Sequence, residues 1–407
     1  MVCMVEHYDV AVIGAGPSGA AAALHSVRRG FETILIDSAE FPRDKTCGDG
    51  LTPRGLHQLN QLGIEINPSY RNKGLKLHGF GTSATAPWPS TYPCVEGTAL
   101  QRHRLDALLV DAAVAAGAHL SEGAPATNPQ LEGNKLVEFS VGEKKIRAKE
   151  VIVADGVRST FGQKLGRIWH KGEVFGIAAR SYCESPFSDE PWMHSHVELR
   201  DEEGVVQPGY GWIFPIGDGS VNLGCGALST NKRPAKVNTK KLLSQYASQQ
   251  RAEWQLGDEK FITSAALPMG GAVSNVAGAN WMIIGDAAAC VNPLNGEGID
   301  YGLETAALAT EILGTSKDLT LVWPDLLRQH YGEAFMLART LARVLTYPQF
   351  LPLAGPIGLR GPMHVAARLM GNLITEEDRD FTARLWRTAG TAVSTARAGS
   401  PLWDSTF

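Results

Sequence analysis

Residues 8–37, YDVAVIGAGPSGAAAALHSVRRGFETILID, contain an apolar β-branched run, a glycine-rich turn, an alanine-rich stretch and a second apolar run that closes on an aspartate. This order predicts a strand, a helix and a second strand. Gly14 would permit the tight turn, Gly16 would let a pyrophosphate approach the backbone, and Gly19 would let the helix pack closely. Asp37 follows about 20 residues later, where an acid binds a ribose hydroxyl. The stretch therefore predicts a βαβ unit that binds a dinucleotide.

Two further predicted strands end on acidic residues. The run KEVIVADGVRST leads into Asp155, and the run NWMIIGDAAACVNPLNGEGI leads into Asp286. Ligands bind outside the carboxyl ends of parallel strands, so Asp286 is placed to hydrogen-bond a polyol such as a ribityl chain. A helix predicted to begin near Gly298 would offer free N–H groups and its positive end to the negative charge of a reduced flavin. Each acid alone is more typical of a turn, but the three motifs in this order favour a flavin dinucleotide.

Composition excludes several classes of protein. The 407 residues are 44% hydrophobic and 20% charged with a formal net charge of -4, which indicates a globular chain without a basic field for nucleic acid. Six cysteines without a CxxC pair indicate reduced thiols rather than disulfides or a metal site, as is typical of the cytosol. No apolar run reaches the roughly 18 residues of a membrane span, and no signal peptide is recognisable. We expect a cytoplasmic protein.

The three flavin motifs resemble those of the FAD-dependent oxidoreductases of the para-hydroxybenzoate hydroxylase fold. Within that group, PRDKTCGDGL, YGWIFP and NPLNGEGI are similar to the geranylgeranyl reductase family, and the likeness covers most of the chain. It implies an α/β protein: a Rossmann-type FAD-binding domain, a substrate domain built on an antiparallel sheet, and C-terminal helices. It also implies non-covalent FAD and the reduction of an isoprene double bond in the prenyl tail of menaquinone or another polyprenyl lipid.

The cofactor contacts that we expect come from the glycine motif and from positions that match the family pattern. They are Gly14, Ala15, Gly16, Gly19, Asp37, Lys45, Gly48, Arg102, Ala126, Asp286, Gly298 and Ile299. Arg102 belongs to the family pattern R-x-x-(F/L)-D, here RHRLD, at the start of a predicted helix. Ala126 stands where a β-branched residue is usual.

Cys47 lies in the stretch FPRDKTCGDGLTP, between three charged residues and a Gly-Asp-Gly turn. Lone cysteines are usually small core residues, but a polar loop of this kind is a poor core segment. The flanking glycines would let the loop pass close to the flavin ring, so we expect Cys47 to line the reaction pocket and to tune or relay protonation. A thiol of reference pKa near 8.5 is a weak acid, which leaves Asp49, Glu297, Tyr210 and a bound water as alternative proton donors.

The run PGYGWIFP predicts a strand with Tyr210, Trp212 and Phe214 on one face, as substrate-binding residues. A hairpin turn at Asp-Gly leads into SVNLGCGAL, where Gly224 and Gly226 would leave room for a ligand against the sheet. Three aromatic side chains on one strand face are more often core than ligand wall. The glycine-rich partner strand favours the ligand wall.

We expect a discontinuous FAD-binding domain over residues 1–80, 101–175 and 270–333. A substrate domain would take up 81–100 and 176–269, and a C-terminal helical region and tail would follow over 334–407.

The region 334–375 contains no Asp or Glu but four arginines, at positions 339, 343, 360 and 368, beside apolar residues at helical spacing. Such a region is either a packed helix with its arginines in water or a face that sits on anionic lipid. The second case would make the protein peripheral at the inner face of the cell membrane. The small, polar residues beyond it predict a loosely held tail.

Three functions remain open from the sequence. They are an isoprenoid reductase, an aromatic hydroxylase that uses oxygen and NAD(P)H, and a prenyl-lipid carrier without a reaction. The motifs favour the reductase, for which an isolated alkene needs a proton as well as a hydride. Aromatic faces such as Trp212 would stabilise the resulting cationic centre. No second nucleotide fingerprint is present, so the sequence does not identify the electron donor.

Overall fold

A computed structural model describes residues 5–66, 70–89, 92–315, 318–347, 350, 379, 381–397 and 399–406. The strands are β1 (Val5–Ile13), β2 (Thr33–Ile36), β3 (Gly50–Leu51), β4 (Gly74–Gly79), β5 (Thr82–Pro87), β6 (Thr98–Ala99), β7 (His119–Ser121), β8 (Ala126–Glu132), β9 (Lys135–Val141), β10 (Lys144–Val153), β11 (Ile168–Trp169), β12 (Phe175–Glu184), β13 (Met193–His196), β14 (Gly209–Pro215), β15 (Ser220–Ser229), β16 (Lys260–Pro268), β17 (Val273–Ser274) and β18 (Trp281–Ile283). The α-helices are α1 (Pro17–Arg28), α2 (Pro53–Gln61), α3 (Arg102–Ala115), α4 (Thr160–Lys164), α5 (Thr239–Trp254), α6 (Ile299–Glu311), α7 (Leu319–Leu327), α8 (Glu333–Leu345) and α9 (Phe381–Ala396).

The first sheet contains the predicted βαβ unit. Its order is β7-β2-β1-β10-β9-β8, with β18 also paired to β10, and β1 runs parallel to both β2 and β10. Helix α1 packs against α3 and α6, because its alanines are fully buried and present little bulk. A Cβ on Gly19 would lie 1.7 Å from the carbonyl oxygen of Gly14, which explains why the helix needs glycine there. The α/β class and the Rossmann-type unit are confirmed.

The second sheet has the order β16-β12-β15-β14-β13-β4-β5. Its strands pair antiparallel except for β13 and β4, which run parallel. Helix α5 covers one face through buried Leu242, Leu243, Tyr246 and Ala247, and the opposite face turns toward the first sheet. The predicted hairpin between β14 and β15 is confirmed. Strand β4 pairs with β13 and β5 in this sheet. If the domains are divided by strand pairing, the boundary that we proposed at residue 80 lies instead just before Gly74.

Helix α8 confirms the helical spacing predicted after residue 334, since Phe335, Ala338 and Ala342 are buried. The expectation that its arginines face water or lipid is wrong for Arg339, which is fully buried. The Arg339 guanidinium donates to the carbonyl oxygens of Gly270 at 3.2 Å and Pro401 at 2.7 Å. Two of the other predicted arginines, at positions 360 and 368, lie outside the described residues.

The expectation of a loosely held tail is wrong for the described part of the C-terminus. Residues 381–396 form α9, and Trp403 is fully buried with its indole N–H donating to the carbonyl oxygen of Ala288 at 2.7 Å. The backbone N–H of Thr406 also donates to Asn275 Oδ1 at 2.8 Å. A single tryptophan in a polar run gives no periodic signal, so its docking beside the Gly-Asp turn was missed.

Three negative findings concern only the residues described above. Among them, no helix combines the length and apolar character needed to cross a bilayer. Their cysteines, Cys47, Cys94, Cys183, Cys225 and Cys290, are free thiols. No group of three or more His, Cys, Asp or Glu side chains there could hold a metal ion.

Candidate functional site

A cavity of about 770 Å³ lies between the two sheets. Most of the predicted site residues line it: Gly14, Gly16, Asp37, Lys45, Cys47, Gly48, Arg102, Ala126, Tyr210, Trp212, Phe214, Asp286, Gly298 and Ile299. Ala15 and Gly19 do not line the cavity but contact the residues that do. Ala15 is fully buried and its N–H donates to Asp37 Oδ2 at 2.7 Å, whereas Gly19 packs on Gly14.

The glycine turn forms one end of the cavity. Gly14 has φ +99°, and a Cβ there would lie 2.3 Å from the carbonyl oxygen of Ala154. A Cβ on Gly16 would face only guanidinium nitrogens, 3.6 Å from Arg43 and 3.9 Å from Arg102. A turn that lines the cavity at a helix N-terminus, with two cations beside it, suits a pyrophosphate.

Arg102 and Arg43 are held in place by one buried carboxylate. Arg102 donates through Nε and Nη2 to Asp106 at 2.7 and 2.8 Å, and Arg43 Nη1 donates to the same carboxylate at 3.0 Å. Asp106 is fully buried, so both cations are fixed in position. The RHRLD pattern thus corresponds to an i,i+4 ion pair on α3. Sequence reasoning missed Arg43 as a site residue, although it lies in the same charged stretch as Cys47.

The middle of the cavity carries Asp286 and Lys45. Burial raises the pKa of Asp286, and the neighbouring Lys45 and Arg102 oppose that shift. Burial also lowers the pKa of Lys45, which Asp286 opposes. A Cβ on Gly298 would lie 2.8 Å from Asp286 Oδ1, so the start of α6 needs glycine to pass this carboxyl. A carboxyl group between the phosphate end and the far end of the cavity fits the polyol of FAD.

The N-terminus of α6 differs from the prediction that its N–H groups are free. Glu297 Oε1 accepts hydrogen bonds from the backbone N–H groups of Ile299 at 2.9 Å and Asp300 at 3.3 Å. The prediction was wrong because it considered the helix dipole and not the carboxylate two residues earlier in the chain. Burial raises the pKa of Glu297 despite these bonds.

Cys47 faces the cavity beside Arg102. Part of its surface is accessible, but that surface is directed into the cavity, and burial raises the pKa of the thiol to about 11. The positive charge of Arg102 and the backbone N–H of Asp49 oppose the shift. The group is therefore a neutral thiol at pH 7, with partners in place that stabilise a thiolate.

Asp49 lies behind Cys47 and is fully buried at φ +61°. Its carboxylate accepts from the Tyr182 hydroxyl at 2.6 Å and from Asn222 Nδ2 at 2.8 Å. Asn222 Nδ2 also donates to the carbonyl oxygen of Cys47 at 2.9 Å. Burial raises the pKa of Asp49 to about 6. This network ties the cysteine loop to β12 and β15, and the partnership of Tyr182 was missed because it joins residues far apart in the chain.

Arg180 fastens the same loop at a second point. It is fully buried, and its guanidinium bonds the Asp44 carboxylate and the carbonyl oxygen of Lys45, the latter at 3.1 Å. The guanidinium also stacks 4.5 Å from the centre of the Tyr182 ring. A loop held by buried polar contacts at both ends keeps Cys47 at a defined place against the second sheet.

Three aromatic rings form a wall beside this loop, and a Cβ on Gly48 would lie 3.2 Å from the Phe214 ring. The ring centroids of Tyr210 and Trp212 are 5.8 Å apart, and those of Trp212 and Phe214 are 6.2 Å apart. The Trp212 indole N–H donates to Asn222 Oδ1 at 2.9 Å. A Cβ on Gly224 would lie 2.0 Å from the Trp212 ring. The expectation that Gly224 leaves room for a ligand is therefore wrong, because that room is filled by Trp212 itself.

The cavity floor extends to both sides of the aromatic wall. Its lining comes from six adjacent strands, β4, β13, β14, β15, β12 and β16, which span about 24 Å at a strand spacing of about 4.8 Å. On the β4 side it is lined by Leu75, Leu77, Trp88 and Met193, and on the β16 side by Leu228, Leu267, Met269 and Leu345. The floor is thus long and largely apolar.

Comparison with known proteins agrees with this geometry. A family model described as "FAD binding domain" matches residues 7–316. The menaquinone reductase of Mycobacterium tuberculosis is 49% identical over 389 residues, which cover 94% of this chain and 95% of that protein. Digeranylgeranylglycerophospholipid reductase 1 of Methanopyrus kandleri is 27% identical over 83% of this chain and 90% of its own. The fold matches the crystal structure of a geranylgeranyl bacteriochlorophyll reductase-like protein from Thermoplasma acidophilum, with a TM-score of 0.77 at 20% identity, over 95% of this chain and 100% of that chain.

Proposed function

The chain belongs to the FAD-binding-domain family and, within it, to the family of the mycobacterial menaquinone reductases, and on that premise we propose that it saturates an isoprene double bond in the prenyl tail of menaquinone. The observation that carries the proposal is the apolar floor that continues past Cys47 and Trp212 on both sides. A long chain can lie along such a floor with an internal double bond at its centre. A compact phenol, the substrate of a hydroxylase, would leave most of it unused.

FAD, when bound, supplies the hydride for this reaction. Gly14 and Gly16 would hold its pyrophosphate with Arg102 nearby, Asp37 its ribose, and Asp286 its ribityl chain. The glycine cradle and the paired cations described above support this assignment.

Cys47 is proposed to hold the proton that the alkene receives. The raised pKa keeps the thiol protonated at neutral pH, so a proton is present when the substrate arrives. Once the proton has left, Arg102 and the Asp49 N–H stabilise the thiolate, which lowers the cost of using so weak an acid. The faces of Trp212 and its neighbours stabilise positive charge on the substrate carbon, and the apolar floor excludes water.

Membrane contact is proposed at the C-terminal end of α8. Leu345 lines the cavity, and Arg343, two residues earlier, keeps 32% of its side chain exposed. A substrate that is dissolved in lipid has to enter from a bilayer, and an arginine beside an apolar opening would interact with anionic headgroups. Arg343 also lies 3.5 Å from Glu173, so its charge is partly balanced.

Mass spectrometry of quinones from cells with and without this chain tests the proposed function. We expect menaquinone with two additional hydrogens in its tail only where the chain is present. Identical tails in both cultures would overturn the proposal. Consumption of oxygen and NAD(P)H by the purified protein with a phenol would instead indicate the hydroxylase.

A further inference from the structure

Glu297 fills the position at which a helix N-terminus ordinarily receives an anionic ligand. The first N–H groups of a helix have no partner within the helix and carry its positive end. In α6, the N-cap residue Gly298 makes no side-chain cap. The N–H groups of Ile299 and Asp300 are bound instead by Glu297 Oε1, at 2.9 and 3.3 Å. The carboxylate therefore acts as an internal ligand of the helix.

One of these N–H groups, that of Ile299, belongs to the expected flavin site. Gly298 and Ile299 line the cavity together with Glu297, and both match flavin-contacting positions by family resemblance. Asp286 Oδ1 would lie 2.8 Å from a Cβ on Gly298, so a second carboxyl already crowds the place. The backbone N–H of Ile299 already donates to the Glu297 carboxylate at 2.9 Å. It cannot also donate to a flavin oxygen without weakening one of the two hydrogen bonds.

Glu297 has space into which it can turn. It lines the same open cavity as Cys47 and Tyr210, so the side chain borders unfilled space. The preceding residues are anchored independently of the carboxylate, because Tyr210 donates to the carbonyl oxygen of Asn295 at 2.5 Å and the Asn292 N–H donates to the carbonyl oxygen of Glu297 at 2.8 Å. Rotation of the side chain alone would release the helix N–H groups.

We propose that Glu297 is a displaceable plug: it caps α6 in the cofactor-free protein and yields the Ile299 N–H to the flavin when FAD binds. The plug satisfies the helix N-terminus while no cofactor is present, and its displacement opposes FAD binding. The inference rests on FAD as the cofactor and on its ring contacting Gly298 and Ile299. It does not depend on the identity of the reduced substrate.

The plug predicts two effects of opposite sign for Glu297→Ala. The cofactor-free variant loses a cap, so its melting temperature should fall by a few degrees, as expected for a lost N-terminal cap. The same variant should bind FAD roughly twofold to fivefold more tightly, the range expected for a charge at a helix N-terminus. Glu297→Gln retains an acceptor oxygen without the negative charge, and should lie between the parent and Glu297→Ala in FAD affinity.

The experiment is titration of cofactor-free protein with FAD, followed by flavin fluorescence, together with thermal unfolding of the cofactor-free forms. Glu311→Ala is the matched control, since Glu311 is exposed at the other end of α6, and neither quantity should change in it. Unchanged or weaker FAD binding by Glu297→Ala would overturn the proposal, because a purely structural cap or a direct flavin contact gives that result. Should the alanine variant fail to fold, the affinity of Glu297→Gln decides: equal or weaker binding than the parent overturns the proposal. These measurements involve no reductase activity, so their outcome does not depend on whether the proposed function is correct.

Discussion

Cys47 and its neighbours have unusual protonation because burial dominates their surroundings. The thiol has a pKa raised to about 11 and the carboxyl of Asp49 has a pKa raised to about 6. Both groups face the positive charge of Arg102, which is insufficient to offset the loss of water. The Cys47 thiol therefore holds its proton at neutral pH, which is what the reduction of an unactivated alkene needs, whereas the Asp49 carboxyl is largely ionised at that pH. Sequence reasoning could predict from the loop and its glycines that Cys47 lines a pocket, and the structure places it in the cavity lining. The pKa of the thiol depends on burial that only the folded chain defines.

Replacing Cys47 by Ser tests the role of the thiol. Serine is nearly isosteric, so folding and FAD content should be retained, but its hydroxyl is a far weaker acid. Turnover should fall at least about tenfold, which corresponds to about 1.4 kcal/mol in the barrier. The measurement is the rate of tail reduction with pre-reduced protein, under anaerobic conditions. A serine variant with the parent rate would mean that Cys47 only packs against the loop.

Replacing Asp286 by Ala tests the polyol contact. Loss of hydrogen bonds to the ribityl chain should weaken FAD binding by about 1–3 kcal/mol, measured as the dissociation constant of the purified protein. Asp111→Ala, at an exposed position on α3, is the control and should retain full flavin content. Full occupancy in Asp286→Ala at low FAD concentration would exclude this residue from the site.

At the scale of elements, local sequence patterns predicted the strands and helices well, but they did not predict the contacts between residues far apart in the chain. The βαβ unit, the β14–β15 hairpin and α8 follow from periodicity and turn residues, which a strand or helix carries within itself. The placement of the Trp212 ring over Gly224 and the docking of Trp403 involve side chains whose partners are set by tertiary packing, whereas the capping of α6 by Glu297 is a local contact that the prediction overlooked. Sequence reasoning therefore identified which residues line the cavity better than what each of them contacts.

The face of the second sheet that packs on α5 contains three neighbouring histidines, of which His194 is buried and His78 and His196 are half-buried. His78 Nε2 lies 3.0 Å from His194 Nδ1, and the rings of His78 and His196 stack with centroids 4.5 Å apart. The Tyr246 hydroxyl of α5 lies 2.5 Å from His196 Nδ1. Burial lowers the pKa of His194 and of His196 to about 3. Both rings are therefore neutral in the folded protein at pH values where the unfolded chain is protonated.

This histidine cluster predicts acid-sensitive stability. Below the unfolded pKa of about 6.5 the unfolded chain binds protons that the folded chain does not, so the free energy of unfolding falls as pH decreases toward 3. The loss between pH 7 and pH 5 should be about 2 kcal/mol per histidine. Urea unfolding at both pH values measures it, and His194→Asn should show a smaller loss than the parent. Equal losses in the two proteins would show that His194 is not responsible.

At the scale of the whole molecule, two sheets enclose the cavity and the C-terminal segment closes over one of them. The segments beside the first sheet supply Cys47 and Asp286, and the second sheet supplies the aromatic wall, so neither sheet alone provides the complete cavity. Arg339 and Trp403 join the C-terminal region to the core through Gly270 and Ala288. The end of α8, with Leu345 in the cavity and Arg343 partly exposed, is the proposed contact with lipid.

Vesicle flotation tests that contact. The protein should float with anionic vesicles at low salt and be released as salt screens the charges. Arg343→Ala should float less, and should lose activity on a long-tailed quinone while retaining it on a short analogue dispersed in detergent. Arg104→Ala, an exposed arginine on α3, is the control and should behave like the parent protein. Equal loss of activity on both substrates in Arg343→Ala would favour a packing role for Arg343.

The central claim is that this cavity brings reduced flavin and an isoprene double bond together. A single-turnover experiment tests it most directly: the purified FAD-loaded protein is chemically reduced without oxygen, mixed with menaquinone, and analysed for flavin absorbance and for the mass of the tail. We predict that the flavin reoxidises at the rate at which a tail with two additional hydrogens forms, in equal amounts. Reoxidation with an unchanged tail, or no reoxidation while menaquinone is bound, would contradict the claim.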